Sequence, residues 1–189
     1  MAEGSQEASP RVILGVDPGT VVTGWGLVRG IGSTLRHVGH GTVNLSSAEP
    51  QAVRLSRIYQ ALSKVLREFR PDGMSLERVF FAQNVQSALK LGQARGAALL
   101  AAAEHGIDVH EYSAVEIKSA VVGYGHATKQ QVQMMIGSLL RVGDRVPVDA
   151  ADALAAAICH LNRQAFESRV ADALPKKPTL LRSRRMIPR

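Results

Sequence analysis

Cysteine is nearly absent from the 189-residue chain, where Cys159 stands alone. One thiol cannot form an internal disulfide or build a zinc site by itself, which fits a reducing compartment. No apolar run approaches the roughly 20 residues that a membrane-spanning helix requires. The N-terminal MAEGSQEASP lacks the hydrophobic region of a signal peptide. These absences exclude membrane, secreted and thiol-based readings and lead to the expectation of a cytoplasmic protein. The apolar share of 46% suffices for one core but barely two, so a single compact domain is expected.

Charge is placed unevenly within the formal net +7. Residues 163–189 hold eight basic and two acidic side chains, whereas the first 162 hold fifteen and fourteen. A tail bearing Lys176, Lys177, Arg182, Arg184, Arg185 and Arg189 would attract phosphate backbones or anionic surfaces. Basic tails also serve solubility alone, so charge leaves a nucleic-acid role open without establishing it.

The β-branched run at residues 11–17, RVILGVD, reads as a buried strand stopped by the Pro18-Gly19 turn. Further strands are expected at 23–28 and 34–43, which makes an antiparallel meander. Leu55, Ile58, Leu62, Val65 and Phe69 step by three and four and define an amphipathic helix over 51–70, ended by Pro71. A strand over 74–81, a helix over 84–104 capped by Asn84, and a strand over 107–112 follow. Helices are then expected over 114–122, over 129–140 and from Pro147 or Asp149 to about Phe166. The order implies an α/β fold whose later strands join the first sheet through crossover helices. Residues 1–10 and 169–189 are expected as unstructured tails around a folded domain at 11–168.

Four acids stand in contexts unusual for surface charge: Asp17 closing the first strand, Glu77 inside an apolar strand, and Asp149 and Asp152 opening an Ala-rich helix. On a helix, residues three apart lie roughly 60° apart around the axis and can face one centre. Leu154, Ile158 and Leu161 make that helix's packing stripe, and Asp152 shares a side with Ala156 and Cys159, small enough to approach a sheet closely. Converging buried carboxylates repel one another unless a cation holds them. Oxygen-only ligands suit Mg²⁺ or Mn²⁺. Two such ions about 4 Å apart can activate water and stabilise the leaving oxygen of a phosphodiester. Each acid also has an ordinary reading. Asp17 can be a turn former, Asp149 an N-cap, Asp152 a dipole partner and Glu77 a solvated strand residue. Spacing alone does not decide between the two.

Three segments carry a resemblance that does. ILGVDPGTVVTGWG at 13–26, LERVFFAQNVQSALKLGQARG at 76–96 and VPVDAADALAAAICH at 146–160 resemble, in order, the RuvC-type Holliday-junction resolvases of bacteria. The resemblance runs from about Arg11 to His160. It implies a ribonuclease-H-like fold, with a mixed five-stranded sheet of a three-stranded antiparallel meander plus two parallel strands, flanked by helices. Asp17, Glu77, Asp149 and Asp152 match the family's metal-binding catalytic carboxylates. Phe80 matches its stacking aromatic, with Phe81 left to the core. Lys118 and Lys129 match its DNA-contacting lysines. Lys90, Arg95 and Gln83 are weaker candidates without a geometric argument. Val21 and Val22 depart from the basic residue that many relatives carry after the first turn, and Arg78 sits beside Glu77. His105, His110, His126 and His160 lack paired ligand spacing and read as surface, turn or packing residues.

The resemblance further implies a homodimeric endodeoxyribonuclease that nicks opposing strands of a four-way junction in recombination and repair. It implies two Mg²⁺ ions per site, with Mn²⁺ a substitute, and cooperation with the RuvA and RuvB branch-migration proteins. Ala88, Gly92 and Gly96 form a smooth helical stripe, against which either the chain's own sheet or a second copy should pack. Two alternatives remain at this stage: a silent junction-binding protein, or another ribonuclease-H-like nuclease acting on RNA.

Overall fold

Alternate residues of the first strand belong to different cores. In the computed structural model, described for residues 9–78, 85–142 and 146–173, β1 (Arg11–Asp17) turns Leu14 and Val16 to one side and Ile13 and Gly15 to the other. It pairs antiparallel with β2 (Val22–Ile31), which pairs antiparallel with β3 (Thr34–Asn44). Helix α1 (Gln51–Phe69) crosses to β4 (Gly73–Glu77), parallel to β1. Helix α2 (Val85–Glu104) then crosses to β5 (Val109–Tyr112), parallel to β4. The sheet order is β3-β2-β1-β4-β5, the expected meander joined to two parallel strands.

Helices α1 and α2 cover the Leu14 face, where Leu62, Met74, Leu76, Ala98 and Ala101 are fully buried. The opposite face carries α3 (Ala114–Val122), α4 (Lys129–Leu140) and α5 (Val148–Ala173). Both α3 and α4 begin with capping boxes, Ser113 with Glu116 and Thr128 with Gln131, which satisfy the orphan amides of their first turns.

α5 lies almost on the backbone of β1 and β2. A Cβ at Gly15 would stand 1.8 Å from the Ala153 carbonyl oxygen, and one at Gly24 would stand 2.0 Å from that of Asp149. Gly15 pairs with Gly26 across the strands, so these glycines form a bare trough. Ala153 and Ala157 fill it at Gly15, the Asp149 main chain at Gly24 and the Leu154 side chain at Gly26. The side carrying Asp152, Ala156 and Cys159 also approaches the sheet, as expected, at β4, where the Ala156 carbonyl accepts a 2.7 Å hydrogen bond from Ser75. Leu154, Ile158 and Leu161 are buried as expected.

Two boundaries also differ. β4 ends at Glu77 rather than running to 81, because its partner β5 stops at Tyr112 before turning into the Ser113 cap; the last rung is Arg78 N–H to the Tyr112 carbonyl. Residues 79–81 and Asn84, the expected cap of α2, lie outside the described residues. α5 continues to Ala173 instead of stopping near Phe166, supported by an Arg163–Glu167 pair one turn apart.

Candidate active site

Strand parity brings the acids together. In β1, Asp17 follows Gly15 by two residues and so faces α5; in β4, Glu77 follows Ser75 by two and faces the same way. The parallel register sets Gly15 beside Ser75, so the two carboxylates leave neighbouring strands at the same edge. The close approach of Asp149 to Gly24, which pairs with Asp17, puts the first turn of α5 over that edge. All four acids are half-buried.

Their titration reflects the crowding. Asp17 is pushed up to about 7, first by burial and then by Asp152, Glu77 and Asp149. Glu77 is raised by burial and by Asp152, with Lys129 and Lys118 opposing the rise. Half-buried carboxylates crowded by their own sign mark a candidate site for a cation. Among the described residues, no three carboxylate, imidazole or thiolate groups form a ready-made ligand shell. The acids share a field without closing on a point, as repelling groups should.

The only positive charge in direct contact with this set among the described residues is Lys129, whose Nζ lies 3.2 Å from Asp152. Its side chain is 75% exposed and begins α4 directly after the Thr128 cap. Lys118, from α3, lines a groove of about 200 Å³ with Glu77, Lys129 and Asp152; Ile117 and Val132 supply apolar walls. The structure therefore gathers Asp17, Glu77, Asp149, Asp152, Lys118 and Lys129. Phe80 and Gln83 lie outside the described residues. Lys90 is exposed on α2.

The histidines stay apart from the acids in role. His160 is 2% exposed, shares a 2.7 Å hydrogen bond between its Nδ1 and the Tyr112 hydroxyl and stacks on His110 at a centroid distance of 4.1 Å. Burial lowers it to about 4, so it packs as a neutral ring. Sequence reading passed over His37 and His40. A bulge of β3 opposite Leu27 and Val28 puts their rings together, with Nε2 of His37 and Nδ1 of His40 2.8 Å apart. Arg95, for which sequence offers no geometric argument, donates from its guanidinium to the Glu77 carbonyl at 2.8 Å.

The family model for crossover junction endodeoxyribonuclease RuvC matches residues 13–160. A crossover junction endodeoxyribonuclease RuvC of Geobacter sulfurreducens is 51% identical over 156 residues, covering 82% of this chain and 95% of the relative. One from Magnetococcus marinus is 46% identical over 166 residues, covering 88% and 92%. The solved structure of Thermus thermophilus RuvC in complex with a Holliday junction substrate superposes with a TM-score of 0.79 at 35% identity, covering 84% of this chain and 97% of that one. The yeast mitochondrial Holliday junction resolvase Ydc2, at 15% identity and a TM-score of 0.61, shares the fold.

Proposed function

The chain belongs to the crossover junction endodeoxyribonuclease RuvC family, and from that membership we propose that it resolves four-way DNA junctions through Asp17, Glu77, Asp149 and Asp152. The observation that carries this reading is the convergence of Asp17 and Glu77 at neighbouring strand ends beneath the first turn of α5, where burial and then Asp152, Glu77 and Asp149 raise Asp17. Oxygen donors alone, half-buried and charged alike, fit hard divalent cations. Two ions per site, Mg²⁺ with Mn²⁺ as substitute, would supply activation of water and neutralisation of charge on the scissile phosphate. Asp17 would be the central ligand of such ions, Glu77 and Asp152 would complete their shells, and Asp149 would either ligate or orient the attacking water. In-line attack by that water on the scissile phosphate would break the bond to the 3′-oxygen and leave a 5′-phosphate and a 3′-hydroxyl.

Lys129 holds Asp152 when no substrate is near, and its exposure leaves it able to exchange that carboxylate for a phosphate oxygen. The charge of the Asp152 carboxylate, its hydrogen bond and the further acids Asp17 and Glu77 raise Lys129 above the ordinary lysine value against the opposing effect of burial, which keeps it protonated. Lys118 completes a positive rim facing the acids across the groove. Phe80, three residues past Glu77, is the proposed base-stacking residue.

A homodimer would present two such sites to the symmetric strands of a junction. The face of α2 supports it: Val85 and Leu89 are 76% and 63% exposed, and a Cβ at Gly92 or Gly96 would meet nothing within 4 Å. The buried side of α2 is Ala94, Ala98, Ala101 and Ala102. That leaves the smooth stripe free for a second copy. Cooperation with RuvA and RuvB, a cytoplasmic setting and a nuclease domain over residues 11–168 complete the proposal. No helix among the described residues is long and apolar enough to cross a membrane.

Incubating the protein with a synthetic four-way junction and matched linear duplex, with Mg²⁺ or EDTA, tests this reading. Paired symmetric nicks on the junction alone, requiring metal and lost in Asp152→Asn, are expected. Junction binding without nicks would favour a silent binder. Cleavage of RNA-containing substrates alone would favour the ribonuclease alternative.

A further inference from the structure

Glu77 is the last residue of β4, at the point where the strand loses its neighbour. A carboxylate emerging there inherits any looseness of its own main chain. The last rung of the ladder, Arg78 N–H to the Tyr112 carbonyl, lies just beyond it, where β5 turns into the Ser113 cap.

A side chain of α2 joins the two strand ends at this point. Arg95, from the inner half of α2, donates from Nη1 to the Glu77 carbonyl oxygen at 2.8 Å. Its Nη2 forms an ion pair with Glu111 on β5. The Arg95 side chain is 16% exposed, so its stem is packed and its fork is held in place. Glu111 is in turn tied to the residue after Glu77, because its carbonyl accepts from Arg78 at 3.0 Å. The guanidinium thus bridges the ends of two parallel strands with a fixed two-pronged geometry that an ammonium cannot copy.

We infer that Arg95 is a positioning residue that fixes Glu77 through its main-chain carbonyl, with Glu111 orienting the guanidinium. This rests on the metal-dependent reading of the four acids. Arg95 needs no contact with substrate or cation. It acts by restricting where the Glu77 carboxylate emerges, as outer partners of metal ligands do.

The test is Mn²⁺ binding to the metal-free protein, followed by the electron paramagnetic resonance of free Mn²⁺, for wild type, Arg95→Met, Arg95→Lys, Glu111→Gln and Asp152→Asn. Thermal melting and junction binding in EDTA are measured beside it. The half-saturating Mn²⁺ concentration should rise about tenfold in Arg95→Met, within the range seen when outer partners of metal ligands are removed. Arg95→Lys and Glu111→Gln should show smaller rises, with junction binding in EDTA unchanged throughout. An unchanged Mn²⁺ midpoint in Arg95→Met, while Asp152→Asn weakens binding, overturns the inference and leaves the metal reading standing. A parallel loss of melting temperature and junction binding in both Arg95→Met and Glu111→Gln, without a selective change in Mn²⁺ binding, also overturns it. No Mn²⁺ binding by the wild type overturns the metal reading and the inference together.

Discussion

At its first turn α5 sets Asp149 and Asp152 beside Asp17 and Glu77; further along the same helix, His160 meets Tyr112 and His110. Both regions bury ionisable groups against one sheet. In the histidine region burial is resolved by neutrality: His160 falls to about 4, and the Tyr112 hydroxyl satisfies its Nδ1. In the acid region burial adds to like charge, and among the described residues Lys129 and Lys118 offset it only in part, Lys129 pairing with one member of the set. Burial of a titratable group is therefore no mark of function by itself. Burial among its own sign is.

The largest effect should come from emptying the acid end. Asp17→Asn should lower junction cleavage by on the order of a thousandfold, as loss of several kcal/mol of cation-borne stabilisation would. Junction binding in EDTA should persist, and a gel-shift assay beside the cleavage assay separates the two. Next comes the trough that seats both ends. Gly15→Ala puts a methyl against the Ala153 carbonyl, where backbone cannot yield as a side chain does. A loss of about 3 kcal/mol in denaturant unfolding is expected.

The histidine end should then show itself through pH. Its folded value of about 4 lies below the ordinary 6.5, so the unfolded chain takes the proton first and stability falls as pH drops from about 6.5 toward 4. The groups acting on it are burial, His110 and Arg11, which lower it, and Glu167, which raises it. The total is at most about 3 kcal/mol. His160→Gln should remove this part of the pH slope in urea titrations. Tyr112→Phe, which deletes only the hydroxyl at Nδ1, should cost about 1 kcal/mol at pH 7 by the same measurement.

Much of this contrast could be read from residue order. The apolar periodicities delimit β1, α3 and α4 as found, and the acids at a strand end, in a second strand and on a helix start already suggest convergence. Other features depend on partners distant in sequence. Gly15, Gly24 and Gly26 look like weak strand residues until α5 is laid upon them, although their spacing of two along β2 was a signal for a close approach. β4 stops at Glu77 because β5 stops, which no local pattern in 74–81 records. Ser113 with Glu116 and Thr128 with Gln131 were legible as capping boxes and would have fixed both helix starts. The bulge that pairs His37 with His40 leaves no mark in the sequence of β3.

The most direct test of the contrast is thermal unfolding at pH 8 of metal-free wild type and Asp17→Asn, each repeated with Mg²⁺. Asp17 titrates near 7 when folded and near 3.8 in its unperturbed state, so its ionisation costs the fold stability as pH rises through that window. Without metal, Asp17→Asn should therefore melt above wild type; with Mg²⁺, wild type should rise and the variant should respond little. A wild type at least as stable as the variant without metal, and indifferent to Mg²⁺, would contradict the account.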